Sequence, residues 1–413
     1  MGNTTSIAAR RDCLVSAVGP AHVTFQDALL YQTTAVDPYN LNVPVTPAAV
    51  TYPQSAEEIA AVVKCAAEYD YNAQDRSGGH SFSNYGMTLA LDEKTAPSRS
   101  IWSSFSQFYM DESTFVASIG PGITLGNLDT ELYNAGSRAM AHGICPTILT
   151  VGGLGPTARQ WGLALDHIEE VEVVLANSSI DRHGVQSAHA GGTWSGRSIF
   201  IHVQPGDSCA EGEACQGLEG IYSPGDLSWN FYSNLVVFDG QIILEGIFFG
   251  SKEEYDELDL EKKFPTSEPG TVLVRTDWLG MIGHGLEETI LKVVGDTPTW
   301  FYATSLGFTP DTLIPDSAID GLVDYIHKTN AGTLAWFVAL SLEDGAINAV
   351  SEDATAYSHR DVLFWFQVFV VNPLGPISQT TYDFINGLYG VLVQALPESA
   401  GHGYLGCPAC VLV

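Results

Sequence analysis

The stretch NLVVFDGQIILEGIFFGS, residues 234–251, restricts the fold more than any other part of the chain. Two β-branched and aromatic runs flank Asp239-Gly240, a dipeptide whose easy access to positive φ favours a two-residue hairpin turn. The reading is therefore two antiparallel strands. Ser251 then caps a short helix. Residues 281–294 and 316–329 have amphipathic helical spacing, and 333–342 and 362–371 read as strands. Strands, then helices, then strands predict an antiparallel sheet covered by helices.

The first half has a different pattern. After Pro53, Ser55 stands three residues before Glu58 as in a capping box, and Ile59, Val62, Val63 and Ala66 follow at helical spacing. Strands are expected around 101–119, a helix near 125–136, and a half-buried strand in IEEVEVVL at 168–175. A chain of 413 residues exceeds one ordinary core, so two domains are expected, 1–225 and 226–413, in an α+β fold.

Acidic residues outnumber basic ones 48 to 17, for a net charge of −31. Such a surface repels phosphate backbones and anionic lipid, so no nucleic-acid or membrane partner is expected, whereas neutral sugars remain compatible. No apolar run reaches bilayer length. The start of the sequence shows no secretory h-region; Gly2 and Ser6 match a myristoylation pattern that is read as chance, and localisation stays open. Seven cysteines at irregular spacing predict neither a disulfide framework nor a zinc site.

Arg76-Ser77-Gly78-Gly79-His80-Ser81 is the most informative motif. Adjacent glycines let backbone N–H groups approach a diphosphate, and the histidine beside them could carry a covalent cofactor bond. Taken alone, a Gly-Gly-His is a weak signal and a surface loop is the default. It is followed by GPGITLGNLD and then by His142-Gly143-Ile144-Cys145-Pro146 and the turn containing Gly152, Gly153 and Gly155.

In this order these motifs resemble the berberine-bridge-enzyme-like oxidases, and within them the fungal glucooligosaccharide and chitooligosaccharide oxidases. The resemblance implies a vanillyl-alcohol-oxidase/PCMH-type FAD-binding domain followed by an antiparallel-sheet substrate domain. It implies FAD bonded through its 8α position to His80 and through C6 to Cys145. Arg76, Ser77, Gly78, Gly79, Ser81, Gly152, Gly153 and Gly155 would line the cofactor. The ring, so fixed, would have a raised potential and face an open groove.

On the substrate side the resemblance covers 226 to about 406, including Thr276-Asp277-Trp278, Phe301-Tyr302-Ala303, Trp336 and Tyr357-Ser358-His359-Arg360-Asp361. Gln367 falls where the family places a substrate-facing glutamine. Tyr404 and Cys407 occupy the family's Y-x-x-Y region, with Cys407 in the place of the tyrosine base and Ser341 near the place of its partner carboxylate. The catalytic candidates are thus Tyr404, Cys407 and Gln367. Residues 181–225 lack the family's pattern and periodicity, which predicts a structureless stretch, a frame shift or an insertion, and the chain stops before the family's closing elements.

The implied activity is hydride transfer from a substrate hydroxyl, such as an oligosaccharide anomeric carbon, to FAD, with oxygen as reoxidant and a monomeric enzyme. A secondary-metabolite oxidase and an inactive paralogue or mispredicted product are the alternatives.

Overall fold

The expected pair of antiparallel strands forms. In the computed structural model, β10 (Phe231–Phe238) pairs antiparallel with β11 (Gln241–Phe248), and Phe238 opposes Gln241 across the two-residue connection. The structure describes residues 2–84, 98–101, 104–143, 152–184, 197–203, 228–238, 241–259, 271–273, 279, 298–333, 335–397 and 403. The expected helix at 281–294, together with Asp239, Gly240, Thr276, Asp277 and Trp278, lies outside them.

This hairpin sits inside a seven-stranded antiparallel sheet that also holds β9 (Arg197–Val203), β12 (Thr271–Leu273), β13 (Trp300–Phe308), β14 (Trp336–Leu342) and β15 (Phe364–Asn372), in the order β12-β9-β11-β10-β14-β15-β13. The two-residue side-chain period gives the sheet two distinct faces. On one, Leu306, Phe308, Trp336, Val338, Leu340, Phe366 and Val368 form the main core with Phe384, Ile385 and Leu388. The last three belong to α7 (Gln379–Ala395), which packs there beside α6 (Asp316–Lys328). Gly387 permits that contact, because a Cβ on it would meet the Tyr325 hydroxyl of α6 at 1.9 Å. The other face turns toward the N-terminal half. Because both faces are covered, β15 reads FWFQVFVVN with Gln367 as the polar interruption, half-buried on that second face. α5 (Lys252–Glu257) starts with the expected Ser251–Glu254 capping box.

In the N-terminal half, β1 (Val23–Phe25), β2 (Ala49–Thr51), β3 (Ala73–Arg76) and β4 (Ser98–Ile101) form a sheet ordered β1-β2-β4-β3, with β4 parallel to both β2 and β3. α2 (Ala56–Glu68) connects β2 to β3. Ser55 caps it through the Glu58 N–H, while the Glu58 carboxylate reaches back to the N–H of Gln54 at 2.7 Å. β5 (Phe108–Met110) with β6 (Ala117–Ile119), and β7 (Glu170–Val174) with β8 (Ile180–Gly184), are hairpins; α3 (Leu125–Asn134) follows the first.

Two expectations require correction. Residues 181–225 are not wholly structureless: β8 pairs with β7, and β9 lies between β12 and β11 with Leu244 opposite Ile201. Hydrogen-bond register is a long-range property that local composition does not report. Residues 185–196 and 204–227 lie outside the described residues.

The second correction is a disulfide between Cys13 and Cys65. α1 (Gly2–Val18) packs on α2 through Leu14, Val18 and Val62, and brings the two Cα atoms to 5.9 Å. A separation of 52 residues leaves no spacing signature. Exchanging both cysteines for serine is expected to cost about 3 kcal/mol through the freed unfolded chain. Urea unfolding of parent and double variant measures this, and an unchanged midpoint would refute it.

Candidate active site

β3 ends at Arg76, which delivers the glycine motif into the loop that follows. Arg76 Nη1 donates to the Val36 carbonyl at 2.8 Å. Burial lowers its pKa, and the charge of Asp37 opposes that shift without cancelling it. Gly79 has φ +81°, and a Cβ there would lie 1.9 Å from Arg76 Nε, so only glycine lets the guanidinium fold under the loop. Ser77 Oγ donates to the Pro121 carbonyl, tying the loop to the GPG turn. Beside them opens a pocket of about 220 Å³ lined by Thr34, Ala35, Asp37, Tyr52, Arg76, Ser77 and Gly78. A guanidinium next to side-chain-poor backbone suits a diphosphate.

His80 comes next along this loop. Its ring lies 3.9 Å, centroid to centroid, from Tyr39, and Phe82 packs 4.3 Å from Phe301 of β13. The Ser81 carbonyl accepts from Asn84 N–H at 3.0 Å, closing the turn. The loop is thus docked on the second face of the large sheet. Ser305 opposes Gln367 in register, and Phe301 shares its face, four residues or about 13 Å further along β13. On this face Ser341 Oγ donates to Asn234 Oδ1 at 3.1 Å and approaches Gln367 Oε1 at 3.4 Å. The polar group at position 341 is therefore a neutral hydroxyl.

Cys145, Tyr404 and Cys407 lie outside the described residues. The turn after Cys145 is described: Gly152 and Gly153 have φ of +90° and +75°, and their carbonyls accept from Leu165 and Ala164. A Cβ on Gly155 would strike the His142 carbonyl at 2.0 Å, so the turn lies flush against the His-Gly motif. His142 is buried, with Nε2 3.0 Å from Asp129 Oδ1 and Nδ1 2.7 Å from the Gly143 carbonyl. Burial opposes charging the ring, but the hydrogen bond and charge of Asp129 outweigh it, so the pKa is raised.

A third cluster joins the halves. The 3-10 turn Ala164–His167 presents Asp166, which pairs with Arg360 at 2.6 Å, both fully buried. Arg159, on the short helix α4 (Ala158–Trp161), donates to the Glu343 carbonyl oxygen. The Glu343 carboxyl bonds the Tyr357 hydroxyl at 3.0 and 3.2 Å, and the Tyr357 ring would meet a Cβ on Gly152 at 3.2 Å. Burial pushes Glu343 up to about 8, against the bonds from Tyr357 and Trp365 and the charge of Arg360.

Sequence reasoning missed Tyr39, Asp129, Asp166 and Glu343. Asp129 had a signal: it stands among Leu125, Leu128 and Leu132 on the buried stripe of α3, where a carboxylate needs a partner. Glu343 had none, since it follows β14 in what reads as a polar turn.

A polar pocket thus opens at a strand–glycine-loop junction, and the loop beyond it is set against an antiparallel sheet that carries a polar row. The residues present fit FAD. A family described as an FAD binding domain matches residues 47–183. The chain is 32% identical over 426 residues to the FAD-linked oxidoreductase sorD of Penicillium rubens, covering 95% of this chain and 88% of that one. It is 36% identical to the xylooligosaccharide oxidase of Thermothelomyces thermophilus, covering 95% and 84%. Among solved structures it resembles a glucooligosaccharide oxidase from Acremonium strictum, which carries 6-S-cysteinyl, 8α-N1-histidyl FAD. That match has a TM-score of 0.81 at 24% identity, over 99% and 91% of the two chains.

The chain belongs to the berberine-bridge-enzyme-like FAD-linked oxidoreductases, the family that includes these oligosaccharide oxidases. Its fold is the vanillyl-alcohol-oxidase/PCMH type, and FAD is its cofactor.

Proposed function

We propose that this enzyme oxidises a hydroxyl of an oligosaccharide, at the anomeric carbon, on FAD held covalently by His80 and Cys145. The observation that carries the reading is the docking of the His80 loop, through Phe82 on Phe301, onto the sheet face that bears Ser341 and Gln367. A cofactor seated in the Arg76–Gly78 pocket and reaching His80 would lie against that face.

FAD, when bound, would supply the hydride acceptor, with oxygen as the reoxidant and peroxide as the by-product. The residues do the rest. Arg76 with the Ser77–Gly78 backbone would hold the diphosphate, Ser81 closes that loop, and Gly152, Gly153 and Gly155 would leave room for the cofactor beside the chain. Gln367 and Asn234 orient substrate hydroxyls, which suits the neutral, polar rail around Ser341. The proton acceptor comes from the Tyr404–Cys407 segment, and a base there must first reach the hydroxyl and only then have a matched pKa. Residues 1–225 supply the flavin side and 226–413 the substrate side, with β9 crossing into the sheet. The enzyme acts as a monomer.

Purified protein is expected to be yellow, with flavin that survives acid precipitation and is released only when both His80→Ala and Cys145→Ala are present. Peroxide release is then measured with cello-, malto-, xylo- and chito-oligosaccharides. Acid-labile flavin in the parent would sink the covalent reading. No turnover with any of the four, alongside turnover of an aromatic alcohol, would favour the secondary-metabolite alternative.

A further inference from the structure

Tyr39 and His80 come from different segments, yet their rings lie 3.9 Å apart at an interplanar angle of 31°. Tyr39 is buried at 5% exposure and packs with Phe301, Ala303 and Val371 of the large sheet. The chain on its C-terminal side is pinned. The Asn40 side-chain amide donates to the Phe301 carbonyl at 2.9 Å through Nδ2 and accepts from the Phe301 N–H at 3.0 Å through Oδ1, pairing with the edge of β13. Asn84, buried and at φ +51°, donates to the Asn40 and Val43 carbonyls at 2.7 and 2.8 Å and accepts from the Asn40 N–H. Both ends of the contact are therefore fixed to one frame: Asn40 follows Tyr39 directly, and Asn84 closes the loop four residues after His80. The phenol covers one face of the imidazole and limits its rotation.

We propose that Tyr39 is a positioning residue for histidyl flavin attachment, holding the His80 imidazole in the orientation from which it bonds the cofactor. The inference rests on the assignment of His80 as an attachment point. In that step an imidazole nitrogen forms a C–N bond to the flavin 8α carbon, while one C–H and one N–H bond break. The two electrons and two protons released reduce the flavin, and oxygen takes them on as hydrogen peroxide. Positive charge develops on the ring as the new bond forms, before the N–H proton leaves. An aromatic face at this distance stabilises that charge as well as the orientation.

The test uses the full chain carrying Cys145→Ala, so that acid-stable flavin reports His80 alone. Total bound FAD, acid-stable FAD and the thermal unfolding transition are measured for each variant. Tyr39→Phe is expected to match its parent. Tyr39→Leu is expected to keep total FAD and the unfolding transition while its acid-stable fraction falls roughly tenfold, the scale of a misoriented reactant. Should the leucine variant lose its unfolding transition, Tyr39→Met, which better preserves the volume, is read in its place against the same expectation. A leucine or methionine variant with the parental acid-stable fraction overturns the proposal, as does a phenylalanine variant that loses it. Acid-stable flavin that persists in His80→Ala with Cys145→Ala overturns the attachment reading itself, a result distinct from failure of the Tyr39 role.

Discussion

Asp166→Ala is expected to cost about 3–5 kcal/mol, the usual loss when a buried ion pair is broken on one side. The carboxylate meets Arg360 at 2.6 and 3.0 Å and also accepts the Leu163 N–H at 2.8 Å. The Arg360 left behind is 4% exposed and, among the described residues, keeps neutral acceptors: the Tyr357 and Ile347 carbonyls and Thr355 Oγ1. Most of the loss is the cost of that stranded charge, so replacing both partners should restore much of it. Asp166→Leu with Arg360→Met is expected to lie nearer the parent than Asp166→Ala does. Urea unfolding of the three proteins checks this, and a single variant within about 1 kcal/mol of the parent would show that the pair is not the clamp described. Since one partner lies in the FAD-binding match and the other beside β15, the single variant should also lose bound FAD at a lower urea concentration.

Glu343→Gln should stabilise the protein at alkaline pH and leave it nearly unchanged in acid. The folded carboxyl sits at about 8 against an ordinary 4.5, so between these values the folded state holds a proton that the unfolded state has released. Stability therefore falls as pH rises across that window, by at most about 1.4 kcal/mol per unit and roughly 4–5 kcal/mol in all. Glutamine keeps a neutral hydrogen-bonding group beside Tyr357 without the titration. Unfolding midpoints at pH 5, 7 and 9 are the measurement. Parallel profiles for the two proteins would mean that Glu343 ionises without penalty. A divergence that grows from pH 5 to 9, with the variant more stable, is the expected pattern.

Much of the secondary structure was legible locally. The pairing of β10 with β11, the Ser251 box, the Ser55 cap and the strands at Trp336–Leu342 and Phe364–Asn372 all follow from nearest-neighbour chemistry or a repeating apolar period. β9 was not legible, because its place between β12 and β11 is a pairing between segments distant in the chain. The Cys13–Cys65 bridge was hidden for the same reason. At the candidate site, the glycine motif marked Arg76, Ser77, Gly78 and His80 as neighbours on one tight loop, since a left-handed φ such as that of Gly79 is a local demand. Tyr39, Asp166 and Glu343 carried no such mark: an aromatic or an acid becomes a site residue only through what the fold sets beside it.

By itself the sequence determined the hairpin, the helix starts and the order of the flavin motifs, because each depends on contacts within a few residues. Only the tertiary structure decided that Tyr39 covers His80, that Asn40 joins the edge of β13, and that the Glu343 carboxyl is sealed from water. Those outcomes depend on which surfaces meet when two separately patterned halves bury one another, and desolvation there sets the charge states that no local pattern encodes.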